Sequence, residues 1–263
     1  MTTELTSGLA TLSITTHPAV STLSITTRPA VRLGFNQILG MHQTVAENIT
    51  RARQQGPFLS VPDLARRADL DQQALNTLAD AGALENLTGH RRLAAWTAAA
   101  SVAQKGLLRE APIDEPDLPD LTAPTEAQDI VADYRRLGFT LGRHPLALLR
   151  ERLTRLRFAP AAILADTPHG RLVRACGLVT IRQRPQTAQG IIFVTIEDET
   201  GPVNIVVRPE LAARQRRELL HAPLLGVIGT WQNVQGVRNL LAGRLEDHSA
   251  LLGELDTSSR NFH

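Results

Sequence analysis

Cysteine, aromatic residues and lysine are all scarce in this chain. There is one cysteine, Cys176, an aromatic content of 3%, and a single lysine, Lys105, among 28 lysine and arginine residues. A lone cysteine cannot close an internal disulfide, which fits a reducing compartment. With so few aromatics, any surface on which bases stack must rest on a handful of side chains. No stretch approaches the roughly 18–20 apolar residues that cross a bilayer. The Thr-rich start shows no basic-then-apolar export pattern. A cytoplasmic protein with no membrane partner is the expectation.

What is present is apolar material for one or two cored domains: 263 residues, 43% of them hydrophobic. The net charge of +2 hides an uneven distribution. Residues 135–184 hold Arg135, Arg136, Arg143, Arg150, Arg152, Arg155, Arg157, Arg171, Arg174, Arg182 and Arg184 against Glu151 and Asp166. Residues 110–129 are acidic instead, with Glu110, Asp114, Glu115, Asp117, Asp120, Glu126 and Asp129 and no base after Arg109. A basic block suits a polyanion such as nucleic acid, through counterion release. A solvated helix face in an arginine-rich chain is the plainer alternative.

The chain divides by pattern. Thr11-Leu-Ser-Ile-Thr-Thr-His-Pro-Ala-Val20 recurs as Thr22-Leu-Ser-Ile-Thr-Thr-Arg-Pro-Ala-Val31. Two copies cannot build a solenoid, which needs three or more, so residues 1–29 read as a weakly ordered leader. Residues 30–105 read as helices. Val45, Ile49 and Ala52 recur at helical spacing over Thr44–Gln55, and Gly56-Pro57 ends that run. Ser60 and Asp71 stand as caps before two further helices, the second stopped by Gly82. Arg91–Ala103 is an amphipathic helix carrying Trp96. Residues 106–124 set Pro112, Pro116, Pro119 and Pro124 among acids, a solvated linker. Residues 125–169 form a basic helical connector, with helices over Thr125–Leu137 and Leu146–Leu156. From Gly170 the period becomes two. Strands are predicted over Arg171–Arg184, Ile191–Asp198, Val203–Val207, Leu224–Trp231 and Val237–Leu245, with a helix over Pro209–Leu220 between the third and fourth. That order over 170–247 is that of an oligonucleotide-binding (OB) barrel. A tail follows over 248–263.

Several segments then resemble one family. Ala30-Val-Arg-Leu-Gly-Phe-Asn-Gln-Ile-Leu-Gly40 is similar to the entry of the helix-hairpin-helix region of bacterial C-family DNA polymerases. Gly56-Pro-Phe-Leu-Ser-Val-Pro-Asp-Leu64, Asp80-Ala-Gly-Ala-Leu84 and Leu141-Gly-Arg-His-Pro-Leu146 resemble further elements in the family's order. Leu178–Pro185 and Ile196–Gly201 resemble its OB module. Ser259-Arg-Asn-Phe-His263 resembles the ending of the error-prone, damage-tolerance branch. The resemblance implies an α+β fold: a helical helix-hairpin-helix region followed by a five-stranded OB-fold barrel. It also implies DNA as partner, both single-stranded template and nearby duplex. The family's palm domain, with its metal-binding aspartates and Mg2+, has no counterpart in the quoted segments. A truncated or split polymerase is therefore expected, with a separately encoded subunit or a decayed remnant left open.

The residues themselves show no active site. The acids around Asp114–Asp120 lie among prolines, with no scaffold to hold two metals. Glu197-Asp198-Glu199 reads as turn chemistry, His144 as packing or capping, and Cys176 as core. No histidine pair has metal-ligand spacing. No catalytic residue, metal or cofactor is assigned to this chain.

Two binding candidates remain. At the hairpin Leu39-Gly40-Met41-His42, Gly40 would let the backbone approach a phosphate and Met41 takes the apolar place. His42 replaces the family's second glycine, which leaves a purely structural turn open; Thr44 and Arg51 could add contacts. In the barrel, Ile192, Val194 and Ile196 share the inner face of the second strand, which puts Phe193 outside. The same parity sends Asn204, Val206 and Arg208 outward. Arg174, Arg182, Arg184, Trp231 and Arg238 complete the candidate set for single-strand binding, although a tryptophan placed like Trp231 is more often core than platform. Gln104-Lys-Gly-Leu-Leu108 resembles, over five residues, peptides that dock sliding clamps, and the frayed end of the Trp96 helix is the other reading. A protein-interaction module docking polymerase accessory proteins is the competing function. For the leader, deletion of residues 1–29 should leave the thermal midpoint unchanged within error, because Thr- and Pro-rich segments bury little. A drop of several degrees would show that the repeat packs on the body.

Overall fold

The computed structural model describes residues 32–101, 120–255, 257 and 259–262. The duplicated leader, most of the acidic linker and Gln104–Leu108 lie outside the described residues. Five helices form the first layer: α1 (Gln43–Arg53), α2 (Val61–Arg67), α3 (Gln72–Asp80), α4 (Glu85–Thr88) and α5 (Arg91–Ala100). The capping residues act as their types dictate. Ser60 Oγ accepts from Asp63 N (3.2 Å), and Asp71 Oδ1 accepts from Ala74 N (2.7 Å). Arg67 gathers the exposed carbonyls beyond the end of α1, donating to Ala52 O, Gly56 O and Pro57 O. Apolar faces carrying Leu64, Leu75, Leu78, Ala94 and Ala98 close a core between these helices.

The connector comprises α6 (Glu126–Leu137), α7 (Pro145–Arg155) and a short α8 (Ala161–Ala165) that the pattern did not reveal. Thr125 and Gln128 form a reciprocal capping box at the start of α6. Helix α6 is held from both sides. On one, Arg91 Nη2 donates to Asp133 (2.6 Å), Arg136 to Asp80 (2.5 Å), and Leu39 N to Arg136 O (2.8 Å). On the other, Tyr134 packs against a cluster of Leu146, Leu153, Phe158, Cys176, Leu178 and Leu224 that belongs to connector and barrel alike.

The barrel strands are β1 (Leu172–Gln183), β2 (Ile192–Asp198), β3 (Gly201–Val207), β4 (Leu224–Val234) and β5 (Val237–Asp247). The order β2-β3-β5-β4-β1, closed by β1 with β2, is that of a closed five-stranded barrel. Only β3 and β5 run parallel among these five, through Ile205↔Leu240 and Val206↔Leu241. Val194, Ile196, Ile205, Val207, Leu225, Val227 and Leu240 fill the interior. The barrel bends where β5 bulges at Gly243, opposite Ile228 and Gly229 of β4; a Cβ on Gly229 would stand 2.1 Å from Leu241 O, so only glycine fits there.

Two features depart from the pattern. The predicted helix over Pro209–Leu220 is two, α9 (Pro209–Arg214) and α10 (Arg216–His221). Gln215 leaves the helix between them, and its side-chain amide pairs with both Leu245 N and Leu245 O at 2.8 Å. The tail adds a strand, β6 (Arg260–Phe262), parallel to residues 181–183 of β1. No helix among the described residues is long and apolar enough to cross a membrane.

Connector and barrel meet at the β2–β3 turn. Buried Asp198 accepts from Arg150 Nη2, Ala161 N, Thr200 N, Thr200 Oγ1 and Gly201 N. Arg150 also grips both oxygens of Glu199, at 2.5 and 2.8 Å. Asp198 thus does turn chemistry, as its position before Thr-Gly indicated, and Glu199 anchors the turn to Arg150, whereas the Glu197 side chain makes no bond there among the described residues. Asp198→Ala should lower the unfolding free energy by on the order of 3 kcal/mol, because it removes the acceptor of three backbone N–H groups and the Thr200 hydroxyl, although Arg150 keeps Glu199. Arg135→Ala, which breaks an exposed pair with Glu254, should cost less than about 1 kcal/mol. Urea melts of the two variants check this; equal losses would contradict it.

Candidate nucleic-acid interface

The outer surface of the barrel follows from alternation. In β2, Val194 and Ile196 are buried while Phe193 is 38% exposed. In β3, Val203, Ile205 and Val207 are buried, and Asn204 and the following Arg208 are exposed. The registers Phe193↔Val206 and Thr195↔Asn204 place these outward side chains in adjacent rows. Thr195 Oγ1 donates to Asn204 Oδ1 at 3.3 Å and stiffens the second row.

Arg184 opens the loop after β1. A Cβ on Gly190 would stand 4.0 Å from Arg184 Nη2 and 3.4 Å from Pro209 Cγ. The Arg184 guanidinium therefore lies over the loop, close to the Arg208-Pro209 step. Both arginines are exposed, and neither has an ion pair among the described residues. At the other end, Arg238 is exposed in the β4–β5 hairpin opposite Asn233. Because β5 runs parallel to β3 and β1, that hairpin and the β1–β2 loop frame the face from opposite strand ends. The result is a shallow surface with one aromatic, amide and hydroxyl groups, and unpaired arginines at both margins. Such a surface can stack a base and neutralise phosphates.

Three predicted site residues are committed elsewhere. Arg182 is buried; it donates to Leu219 O (2.7 Å), Ala222 O (2.6 Å) and Ser259 Oγ (2.5 Å). It fastens α10 and the tail to β1, and burial pulls its pKa below the usual arginine value. Trp231 is 3% exposed inside the barrel core, which excludes it as a stacking platform. Arg174 is paired with Glu246 at 3.3 Å and lies over the Phe158 ring. Sequence parity missed Leu241 and Asn239. They extend the outer rows because β5 neighbours β3, and the strand order alone would have located them.

The Gly40 turn forms a separate site. Gly40 has φ +83°, a conformation that glycine adopts without strain. The turn links a single 3-10 turn, Phe35–Gln37, to α1, so the element before it is shorter than a helix. Met41 is half-buried and packs on the helical core, which anchors the turn. His42 is the N-cap of α1 and makes no side-chain cap bond; the first turn of α1 holds no acid. Exposed Thr44 and Arg51 lie seven residues apart on one face of α1, and Arg51 donates to Asn48 Oδ1 at 3.2 Å. An uncapped helix N-terminus beside a glycine turn can accept an anion.

Comparisons with known proteins agree with this geometry. Residues 13–94 match the family model of a helix-hairpin-helix motif, and residues 173–247 match that of an OB-fold nucleic acid binding domain. The chain is 59% identical over 238 residues to an error-prone DNA polymerase of Bordetella parapertussis, covering 89% of this chain and 23% of that protein. It is 57% identical to one from Aromatoleum aromaticum (88% and 22%) and 55% identical to one from Burkholderia pseudomallei (89% and 22%). The chain thus spans less than a quarter of the length of the curated relatives it matches. Among solved structures, asparaginyl-tRNA synthetase from Pyrococcus horikoshii shares 21% identity over 35% of this chain and 22% of its own, at a TM-score of 0.30, a likeness too slight to carry an argument.

The two aromatics should separate cleanly on mutation. Trp231→Ala should destabilise the barrel by about 3–5 kcal/mol, the loss expected for a buried aromatic. Phe193→Ala should move the thermal midpoint by no more than a degree or two. Circular dichroism melts decide it; a Phe193→Ala protein that unfolds would mean that the ring supports the core.

Proposed function

We propose that this chain, which belongs with the error-prone DNA polymerases over the stretch it shares with them, holds single-stranded template DNA on the outer β2–β3 face of its barrel. The observation that carries the reading is Phe193, exposed on that face near the start of β2, with Arg184 and Arg208 unpaired beside it. The Gly40 turn and the start of α1, with His42, Thr44 and Arg51, take the backbone of nearby duplex through N–H groups and the helix dipole. On this reading the chain steadies the template during damage-tolerant synthesis. Nucleotidyl transfer, with its Mg2+, is assigned to protein outside the shared stretch.

A second reading has one observation in its favour. Leu172 is 75% and Ile163 62% exposed, and both line a groove with Arg157 and Ile228 on the side of the barrel where β1 meets β4. That groove suits an apolar segment of an accessory protein of the polymerase. Salt separates the two readings, because phosphate binding weakens steeply with ionic strength and apolar docking does not.

Binding of oligo-dT, followed by fluorescence anisotropy, tests the template reading. Phe193→Ala should weaken binding about tenfold, since one stacked base is worth roughly 1–3 kcal/mol. Arg184→Ala and Arg208→Ala should each lower the slope of log affinity against log salt by about 0.7, with no change in base preference. If all three variants stay folded and bind as the unaltered chain does, the face is not the DNA site.

A further inference from the structure

Between the α6–α7 loop and the outer side of β1–β2 lies a cavity of about 420 Å³. Its walls include Tyr134, Phe139, His144, Leu178, Glu197 and Thr257. Phe139 is half-buried and Leu178 buried, so the cavity has apolar flanks. Its polar groups are largely unspent. His144 Nδ1 accepts from Leu146 N at 3.2 Å as the cap of α7. Burial lowers the His144 pKa from its ordinary value, against the pull of Glu197, Glu199 and Asp198. The ring is therefore neutral near pH 7, and with Nδ1 accepting, its proton sits on Nε2 as a donor. Neither Nε2, the Tyr134 hydroxyl nor the Glu197 carboxylate has a hydrogen-bond partner among the described residues. Thr257 Oγ1 is buried there with no partner among them either. A buried group left unsatisfied, as Thr257 Oγ1 is, calls for a ligand or ordered water, while the exposed Glu197 carboxylate stands free at the mouth.

The donors and acceptors select the occupant. A carboxylate with both oxygens free asks for two adjacent donors on one edge of a flat molecule. Among the bases, guanine alone presents them, as N1–H and the 2-amino group. Its O6 and N7 are acceptors, which suits His144 Nε2–H and the Tyr134 hydroxyl. Phe139 and Leu178 supply surfaces for the ring faces. Phe193, Thr195 and Glu197 alternate along the outward side of β2, so Glu197 stands roughly 13 Å from Phe193 at about 3.3 Å per residue. A strand lying on that side of β2 passes the mouth of the cavity.

We propose that this cavity binds a guanine base, supplied either by a single strand or by a free nucleotide. The strand source rests on the proposed template-binding face; the free-nucleotide source does not. Calorimetric titration of the full chain with GMP, IMP and AMP tests the cavity itself. GMP should bind at least tenfold more tightly than IMP, which lacks the 2-amino donor, and AMP should bind no better than IMP. Glu197→Gln should erase the GMP preference while keeping the fold, because the residue is exposed and carries no ion pair. Tyr134→Phe should weaken GMP without erasing that preference. Equal binding of the three nucleotides, or none, overturns the proposal, even if oligo-dT binds. Anisotropy with thirteen-residue oligo-dT and the same strand carrying one central dG then names the source. A gain on adding dG that Glu197→Gln abolishes assigns the site to the strand. Selective GMP binding without that gain assigns it to free nucleotide. Selective GMP binding in a chain that ignores oligo-dT leaves the cavity standing and removes the template face.

Discussion

The joint between connector and barrel is organised around one carboxylate. Asp198 sits at the end of β2, buried, where its two oxygens serve three structural tasks at once. One oxygen folds the β2–β3 turn by taking the N–H and hydroxyl of Thr200 and the N–H of Gly201. The other takes the first N–H of α8 and the Arg150 guanidinium of α7. A buried charge is costly unless its lone pairs are filled, and here they are. The β2–β3 pair carries the outward face, so the residue that shapes the turn also sets that face relative to the connector. Helix α6 continues the chain of contacts: its ion pairs reach the first helical layer, and Tyr134 reaches the barrel side.

The arginines of the basic block are spent mainly on structure. Arg135, Arg136, Arg143, Arg150 and Arg174 are paired with acids, and Arg182 is enclosed by carbonyls and a hydroxyl. Guanidinium suits these places because its planar fork serves several acceptors at fixed angles, which an ammonium cannot do. Charge density along the sequence therefore overstates what is available to a polyanion. The arginines free to meet phosphate include Arg152 and Arg155 on the exposed side of α7 and, on the barrel, Arg184, Arg208 and Arg238 at chain reversals.

This division explains what the sequence could disclose. The barrel was legible because period-two alternation reports which face is wet, and the burial of Val194 and Ile196 beside exposed Phe193 follows that rule. The caps at Ser60 and Asp71 were legible because capping is local chemistry. Trp231 reads chiefly as core from the sequence and is core, but Arg182 was not legible, since its partners Leu219, Ala222 and Ser259 lie far along the chain. Gln215 is a similar case. Its helix break is fixed by a β5 backbone thirty residues away, and nothing in the local sequence Ala213–Arg217 announces it. The cavity proposed to take guanine is assembled from four separate segments, the α6–α7 region, β1, β2 and the tail, and left no pattern either.

The grip on the β2–β3 turn has a mechanical side. Any pull on a strand seated against Phe193 or Asn204 enters the protein through β2 and β3 and leaves it through the turn that joins them. There the load meets Arg150 and the start of α8, through hydrogen bonds of 2.5–3.2 Å. Such bonds weaken steeply once lengthened or bent, whereas an apolar cluster like that of Leu146, Leu153 and Phe158 gives way gradually as side chains slide. The joint is therefore stiff under small forces and fails abruptly under large ones. It holds the barrel in register with the connector, and past its limit the load passes to the apolar cluster that the two share.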